Sequence, residues 1–178
     1  MKMKALCVAL SLLAVPAVSF AQNPLDQLKK SAGEAGKAAG DAGKAAVEKR
    51  VNAKLTEEAR KNQCSFKSGT DVLEPGCDKK LKNLANVLID AKKQLDAAGV
   101  QNYRFEVSGH TDSSGDAAKN KELSAKRAEV IVKELVSRGV PRAEIISVGR
   151  GSEQPLVKPD DTPAKKAKNR RYEIQVRL

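Results

Sequence analysis

The sequence predicts an α+β domain with helices packed on one face of a mixed sheet, and three observations predict it. Two short stretches, YRFEV (103–107) and RYEIQVRL (171–178), alternate apolar and polar residues with the period of a strand. Two longer stretches, Leu81 to Leu95 and Leu123 to Leu135, repeat apolar residues with the period of a helix. From residue 61 onward, such segments follow in the order β-α-β-α-β-α-β over about 115 residues, the order of a two-layer fold.

The first 21 residues stand apart from that domain. Lys2 and Lys4 precede an apolar run from Ala5 to Val15, and Ser19, Phe20 and Ala21 form a small-x-small cleavage site, so 1–21 reads as a secretory signal peptide. Cys7 lies within the run without a lipoprotein signature around it. No later stretch is apolar enough for a transmembrane helix, and the alternating strands are too few for an outer-membrane barrel. Loss of Lys2 and Lys4 with the leader lowers the formal charge from +11 to +9, which still points to an anionic partner. Nucleic acid is a poor candidate, because an exported chain with two Tyr, three Phe and no Trp has few rings for base stacking.

Residues 22–60 form an Ala/Gly/Lys-rich tract with a heptad-length repeat, AGEAGKA (32–38) then AGDAGKA (39–45). Leu25, Leu28, Ala32, Ala35, Ala39, Ala42 and Ala46 step by three and four, as in a helix seam. Each glycine of the repeat costs about 1 kcal/mol relative to alanine in a helix. The tract therefore reads as a helical or semi-flexible spacer, or else as a small-residue helix for self-association or for docking on an envelope protein or membrane.

From residue 61 each element has its own signal. CSFKS (64–68) alternates and predicts a first strand, followed by the turn-rich SGTDVLEPG. The helix through Leu81, Leu84, Leu88 and Leu95 should stop before Gly99. YRFEV is the second strand. Asp116 is an N-cap for the next helix and Gly139 its stop. Ile145, Ile146 and Val148 predict a third strand, Thr162-Pro163 opens a short basic helix, and Tyr172, Ile174, Val176 and Leu178 share one face of the last strand. In an oxidising compartment Cys64 and Cys77 read as a disulfide rather than a metal site. No cofactor is suggested.

The helix after Asp116 carries polar residues on its apolar face. With Leu123 at zero and about 100° per residue, Ile131 falls near 80°, Leu135 near 120° and Ala128 near 140°. Arg127 falls near 40°, Asn120 near 60° and Ser124 near 100°, inside the same arc. A guanidinium on the packed side needs a partner. Asp112, at the end of the preceding strand, is the obvious one: either the two form a structural salt bridge, or they face a zwitterionic ligand from opposite sides of a cleft. SGHTDSSG (108–115) also holds Ser, His and Asp, the raw materials of a hydrolase triad. It lacks the G-x-S-x-G turn that exposes a nucleophile, so catalysis is the weaker reading and the chain is read as non-enzymatic.

At these residues the sequence resembles the OmpA-like, peptidoglycan-associating domain. Its signature, GHTD-x-x-G then N-x-x-L-S-x-x-R-A-x-x-V, is met by Gly109 to Asp112, Gly115, Asn120, Leu123, Ser124, Arg127 and Ala128, with Ile131 in place of valine. Gly149-x-Gly151, Glu153, Pro155 and Asn169-Arg170-Arg171 continue the likeness over residues 61–178. The resemblance implies noncovalent binding of peptidoglycan through the diaminopimelate of its stem peptide, in the periplasm of a Gram-negative bacterium, either on the cell wall alone or also at the outer membrane through a partner. It implies that Asp112 and Arg127 hold the ligand, with Asn120, Thr111 and one of Arg170 and Arg171 lining the pocket. Lys165-Lys166-Ala167 stands where Gly-Arg-Ala is usual, and Arg150 where an aromatic is common.

Overall fold

The structure is a computed structural model that describes the backbone of residues 24–178 and the side chains of 40–178. The leader expected at 1–21 and the side chains of the first heptad repeat lie outside the described residues. The elements are α1 (Pro24–Lys61), α2 (Asp78–Ala97), β1 (Arg104–His110), α3 (Ala117–Val136), β2 (Ile145–Gly151), α4 (Pro163–Asn169) and β3 (Tyr172–Arg177). Asp116 caps α3 by accepting from the Lys119 N–H at 2.8 Å, and Thr162 caps α4 by accepting from Lys165 at 3.3 Å. Gly99 and Gly139, both at positive φ, follow α2 and α3 as expected.

The sheet is mixed, in the order β2-β1-β3, with β1 parallel to β2 and antiparallel to β3. A parallel neighbour requires a crossover, and α3 supplies it by packing across β1 and β2. Phe105 and Val107 of β1, Ile145 of β2, and Ile174 and Val176 of β3 meet Leu84, Leu88 and Leu95 of α2 and Ile131 and Leu135 of α3 in one core. The motif glycines set how closely α3 lies on the sheet. A Cβ at Gly109 would fall 2.2 Å from the Ser124 carbonyl oxygen, and one at Gly149 would fall 2.5 Å from that of Lys121. The glycine of GHTD is therefore a seat for the helix that carries Arg127.

The expected first strand is not one. Residues 64–68 make only an isolated bridge, Phe66 to Leu73, at the neck of a loop. The outer edge of β3 is occupied by α1 instead. Gln63, just past the helix, donates from Nε2 to the Tyr172 carbonyl at 2.8 Å and accepts from the Tyr172 N–H at 3.2 Å. Asn52 accepts from the Val176 N–H at 2.6 Å and donates to its carbonyl at 3.4 Å. Two side-chain amides thus do for β3 what a neighbouring strand would do, and they cover an edge that would otherwise be left unpaired.

On the same helix Val51, Leu55 and Ala59 enter the core, with Leu55 fully buried. The compact unit runs from Ala39 to Leu178, so a boundary at residue 61 falls at the end of a packed helix rather than ahead of the domain. No helix among the described residues is long and apolar enough to cross a membrane.

Candidate ligand-binding site

The parallel pairing of β1 and β2 slips at its C-terminal end, where Gly109 pairs with Gly149 but His110 pairs with Gly151. Just beyond this irregularity the chain leaves the sheet through Thr111 and Asp112. A cavity of about 890 Å³ opens there, walled by the 109–114 turn, the first turns of α3, the loop after Cys64, the α4–β3 junction and the end of α1. Strand ends beside a helix start are a common place for ligand sites in sheets with parallel strands.

Asp112 accepts from the Ser114 N–H at 3.0 Å and pairs with Arg170, whose Nη1 lies 2.7 Å from Oδ2. Burial works against its ionisation, but the Arg170 guanidinium and the Ser114 N–H outweigh that and hold its carboxyl below the usual range. Arg127 has different partners. Its Nε donates to the Thr70 carbonyl at 2.8 Å and its Nη2 to that of Lys67 at 3.4 Å, while the guanidinium stacks 5.1 Å from the centre of the Phe66 ring. Burial and the nearby charge of Arg170 lower its pKa, with Asp112 and Asp71 opposing. Of the two arrangements open from sequence, the direct bridge is absent: Asp112 and Arg127 both line the cavity, each held by another group.

The remaining expected residues divide by what they touch. Asn120 lines the cavity and donates from Nδ2 to the Ser114 carbonyl at 2.8 Å, bracing the turn that carries Asp112. Thr111 is buried with no hydrogen-bond partner at its hydroxyl. Arg170 reaches Asp112, whereas Arg171 pairs with Glu173 at 2.7 Å and donates to the carbonyls of Asn169 and Gln154. Ser124, the third polar residue on the apolar arc of α3, is fully buried and accepts from the Gly151 N–H at 2.9 Å. Cys64 and Cys77 are buried neighbours held as thiols, with Cys64 Sγ 3.9 Å from the Cys77 carbonyl. Burial and the neighbouring Cys77 push the Cys64 thiol up to about 12.

The triad is not assembled. Neither ring nitrogen of His110 has a hydrogen-bond partner, and Nε2 lies 3.8 Å from Glu173. Burial, with Arg171 second, lowers the His110 pKa to about 4. Ser113 turns the other way: its N–H donates to Asp160 Oδ2 at 2.9 Å and its hydroxyl donates to Oδ1. Among the described residues no group of three or more His, Cys, Asp or Glu is arranged to hold a metal ion.

Several contributors were not read from sequence. Asp160 accepts from Ser113 and from Asn169 Nδ2 at 3.0 Å, which lowers its pKa to about 2 and ties the 109–114 turn to the chain ahead of α4. Asn169, fully buried, also accepts from the backbone N–H groups of Leu156 and Val157. Phe66 and the carbonyls of Lys67 and Thr70 seat Arg127. Thr56, Arg60 and Gln63 bring the end of α1 into the cavity wall. Phe66 had a signal, its strand-like alternation. The backbone carbonyls and the α1 residues had none, since both depend on long-range packing.

The OmpA family model matches residues 65–170. Peptidoglycan-binding protein ArfA of Mycobacterium tuberculosis is 44% identical over 73 residues, which are 41% of this chain and 22% of that protein. Outer membrane porin F of Pseudomonas fluorescens is 39% identical over 111 residues, 62% of this chain and 31% of the porin. The matched stretches thus span less than a third of either relative. Among solved structures, the C-terminal domain of Helicobacter pylori MotB superposes with a TM-score of 0.54 at 23% identity, covering 65% of this chain and 84% of that domain, a likeness of fold. The peptidoglycan-associated lipoprotein from Burkholderia pseudomallei superposes with a TM-score of 0.51 at 25% identity, covering 64% and 86%.

Proposed function

The chain belongs to the OmpA family, and from that premise we propose that it binds peptidoglycan noncovalently through the diaminopimelate of the stem peptide. Binding would tie the protein, or a partner carried on its N-terminal segment, to the cell wall of a Gram-negative bacterium. The observation that carries the proposal is the cavity in which Asp112 and two guanidiniums, Arg127 and Arg170, converge without an Asp112–Arg127 bridge. The free end of a diaminopimelate residue is an ammonium beside a carboxylate. Asp112 has the sign and burial to take the ammonium, and a planar guanidinium fork matches the carboxylate in two-point geometry. Arg127 is the proposed carboxylate partner.

No chemical step is involved in this reading; the protein recognises and holds. Arg170 is paired with Asp112, so an incoming ammonium exchanges with it and leaves its guanidinium available to the ligand carboxylate. That exchange keeps the buried carboxylate paired throughout. Support for the ligand class comes from two relatives, one named for binding peptidoglycan and one for associating with it. The reading also accounts for a basic surface in an exported chain, since an anionic wall polymer attracts it at long range.

Co-sedimentation with purified sacculi of the diaminopimelate type tests the proposal. The wild-type chain is expected to pellet, and Asp112→Ala and Arg127→Ala are each expected to weaken binding by a factor of roughly 30 or more, about 2 kcal/mol. Both variants should retain the wild-type circular dichroism. Normal pelleting of two folded variants would assign both residues a purely structural role.

A further inference from the structure

The cavity is larger and more positive than one zwitterion requires. Its charged lining comprises Arg60, Arg127, Lys168, Arg170 and Arg171 against Asp112 and Glu173. Asp112 neutralises Arg170, and Glu173 neutralises Arg171. With a neutral amino-carboxylate end bound between Asp112 and Arg127, three positive charges remain in excess: Arg170, displaced from Asp112 by the ligand ammonium, and Arg60 and Lys168, neither of which forms an ion pair among the described residues. Arg60 belongs to α1, outside the 65–170 stretch that matches the family, so this wall is supplied by this chain's own N-terminal helix. Two buried polar side chains also line this cavity. Thr111 Oγ and both ring nitrogens of His110 are buried, at 5% and 2% residue exposure, and bond to nothing. Buried polar groups are rarely left so in a native protein, and a bound polar ligand is one way of satisfying them.

We infer that the α1 wall forms a second anion subsite, centred on Arg60, that takes another carboxylate of the same peptide: the free α-carboxylate of the D-glutamyl residue preceding diaminopimelate. This inference rests on the reading of the site given above. A γ-linked glutamyl residue leaves its α-carboxylate uncoupled one residue from the diaminopimelate, within reach of a second wall of the same cavity. Docking of α1 along the β3 edge, through Asn52 and Gln63, then has a functional consequence beyond stability. It carries Arg60 to the ligand. Peptides whose glutamyl carboxylate is amidated lose that contact while keeping the diaminopimelate end unchanged.

Calorimetric titration of the mature chain with two probes tests this. One is the tripeptide L-Ala-γ-D-Glu-meso-diaminopimelate, and the other is the same peptide with the glutamyl α-carboxylate amidated. The wild-type chain is expected to bind the free acid roughly threefold to fivefold more tightly, the scale of one exposed ion pair. Arg60→Gln, at an exposed position outside the core, is expected to abolish the preference, so that the free acid and the amidated peptide bind alike. An unchanged preference in Arg60→Gln overturns the inference, and loss of the preference in Lys168→Gln instead moves the subsite to α4 and overturns the role of α1. Failure of the wild-type chain to bind either peptide overturns the diaminopimelate reading itself, and the subsite with it.

Discussion

Leu55→Ala is the sharpest test of α1 as part of the domain. Leu55 is fully buried among core residues, one turn from Val51 and one from Ala59, on the helix whose amides hold the β3 edge. Truncating a buried leucine removes its transfer free energy and leaves a cavity, together about 2–5 kcal/mol. The packing that surrounds Leu55 is pinned at both ends by Asn52 and Gln63, so collapse into the gap is restricted and the upper half of that range is expected. For a domain of this size, each kcal/mol moves the melting temperature by roughly 2–4 °C. Thermal and urea unfolding of the variant should therefore show a fall of about 7–20 °C and a lower midpoint with unchanged slope. Ala42→Ser, at an exposed position of the same helix, should lie within about 0.5 kcal/mol of wild type. Wild-type stability in Leu55→Ala would refute the docking of α1 and, with it, the placement of Arg60 in the cavity wall.

Other consequences follow from single contacts. Gly109→Ala drives a Cβ into the Ser124 carbonyl and should displace α3 from the sheet, at a cost of at least 1–3 kcal/mol in urea unfolding. Stability should fall in acid in two windows. The His110 pKa is lowered from 6.5 to about 4, so the unfolded chain binds the proton first and stability declines as pH falls between those values. His110→Gln should flatten that part of the profile. The Asp160 pKa is lowered from 3.8 to about 2, so its contribution is complete above about pH 4 and lost as pH falls towards 2; Asp160→Asn should lose that acid dependence. Oxidation of Cys64 and Cys77 to a disulfide is expected to raise the melting temperature by roughly 6–12 °C, from about 3 kcal/mol of loop closure, as read by scanning calorimetry with and without reductant.

Much of this organisation was legible because local chemistry and global packing agree along most of the chain. Alternation at 103–107 and 171–178, helical period at 81–95 and 123–135, and the caps at Asp116 and Thr162 all mark elements that form as expected. The apolar arc of α3 was informative through its exceptions. Arg127, Asn120 and Ser124 break the pattern, and each turns out to hold something: a loop, a turn and the end of β2.

The parts that escaped are those in which one element stands in for another. CSFKS has the alternation of a strand, but Asn52 and Gln63 already satisfy the edge it would have joined. The end of α1 reads in sequence as one tract with the alanine- and glycine-rich repeat before it, although Val47, Val51, Leu55 and Ala59 recur every four residues past the last glycine, and three of them are the turns that pack into the core. The partner of Arg127 escaped for a related reason. A carbonyl oxygen accepts from a guanidinium as a carboxylate does, and backbone acceptors leave no mark in sequence.

A crystal structure of the protein with meso-diaminopimelate decides whether Asp112 and Arg127 hold the ligand. The ligand ammonium is expected at about 2.7–2.9 Å from the Asp112 carboxylate, where Arg170 now sits, with a ligand carboxylate on the Arg127 guanidinium. A ligand bound elsewhere, with the Asp112–Arg170 pair intact and Arg127 still on the Thr70 carbonyl, would contradict it.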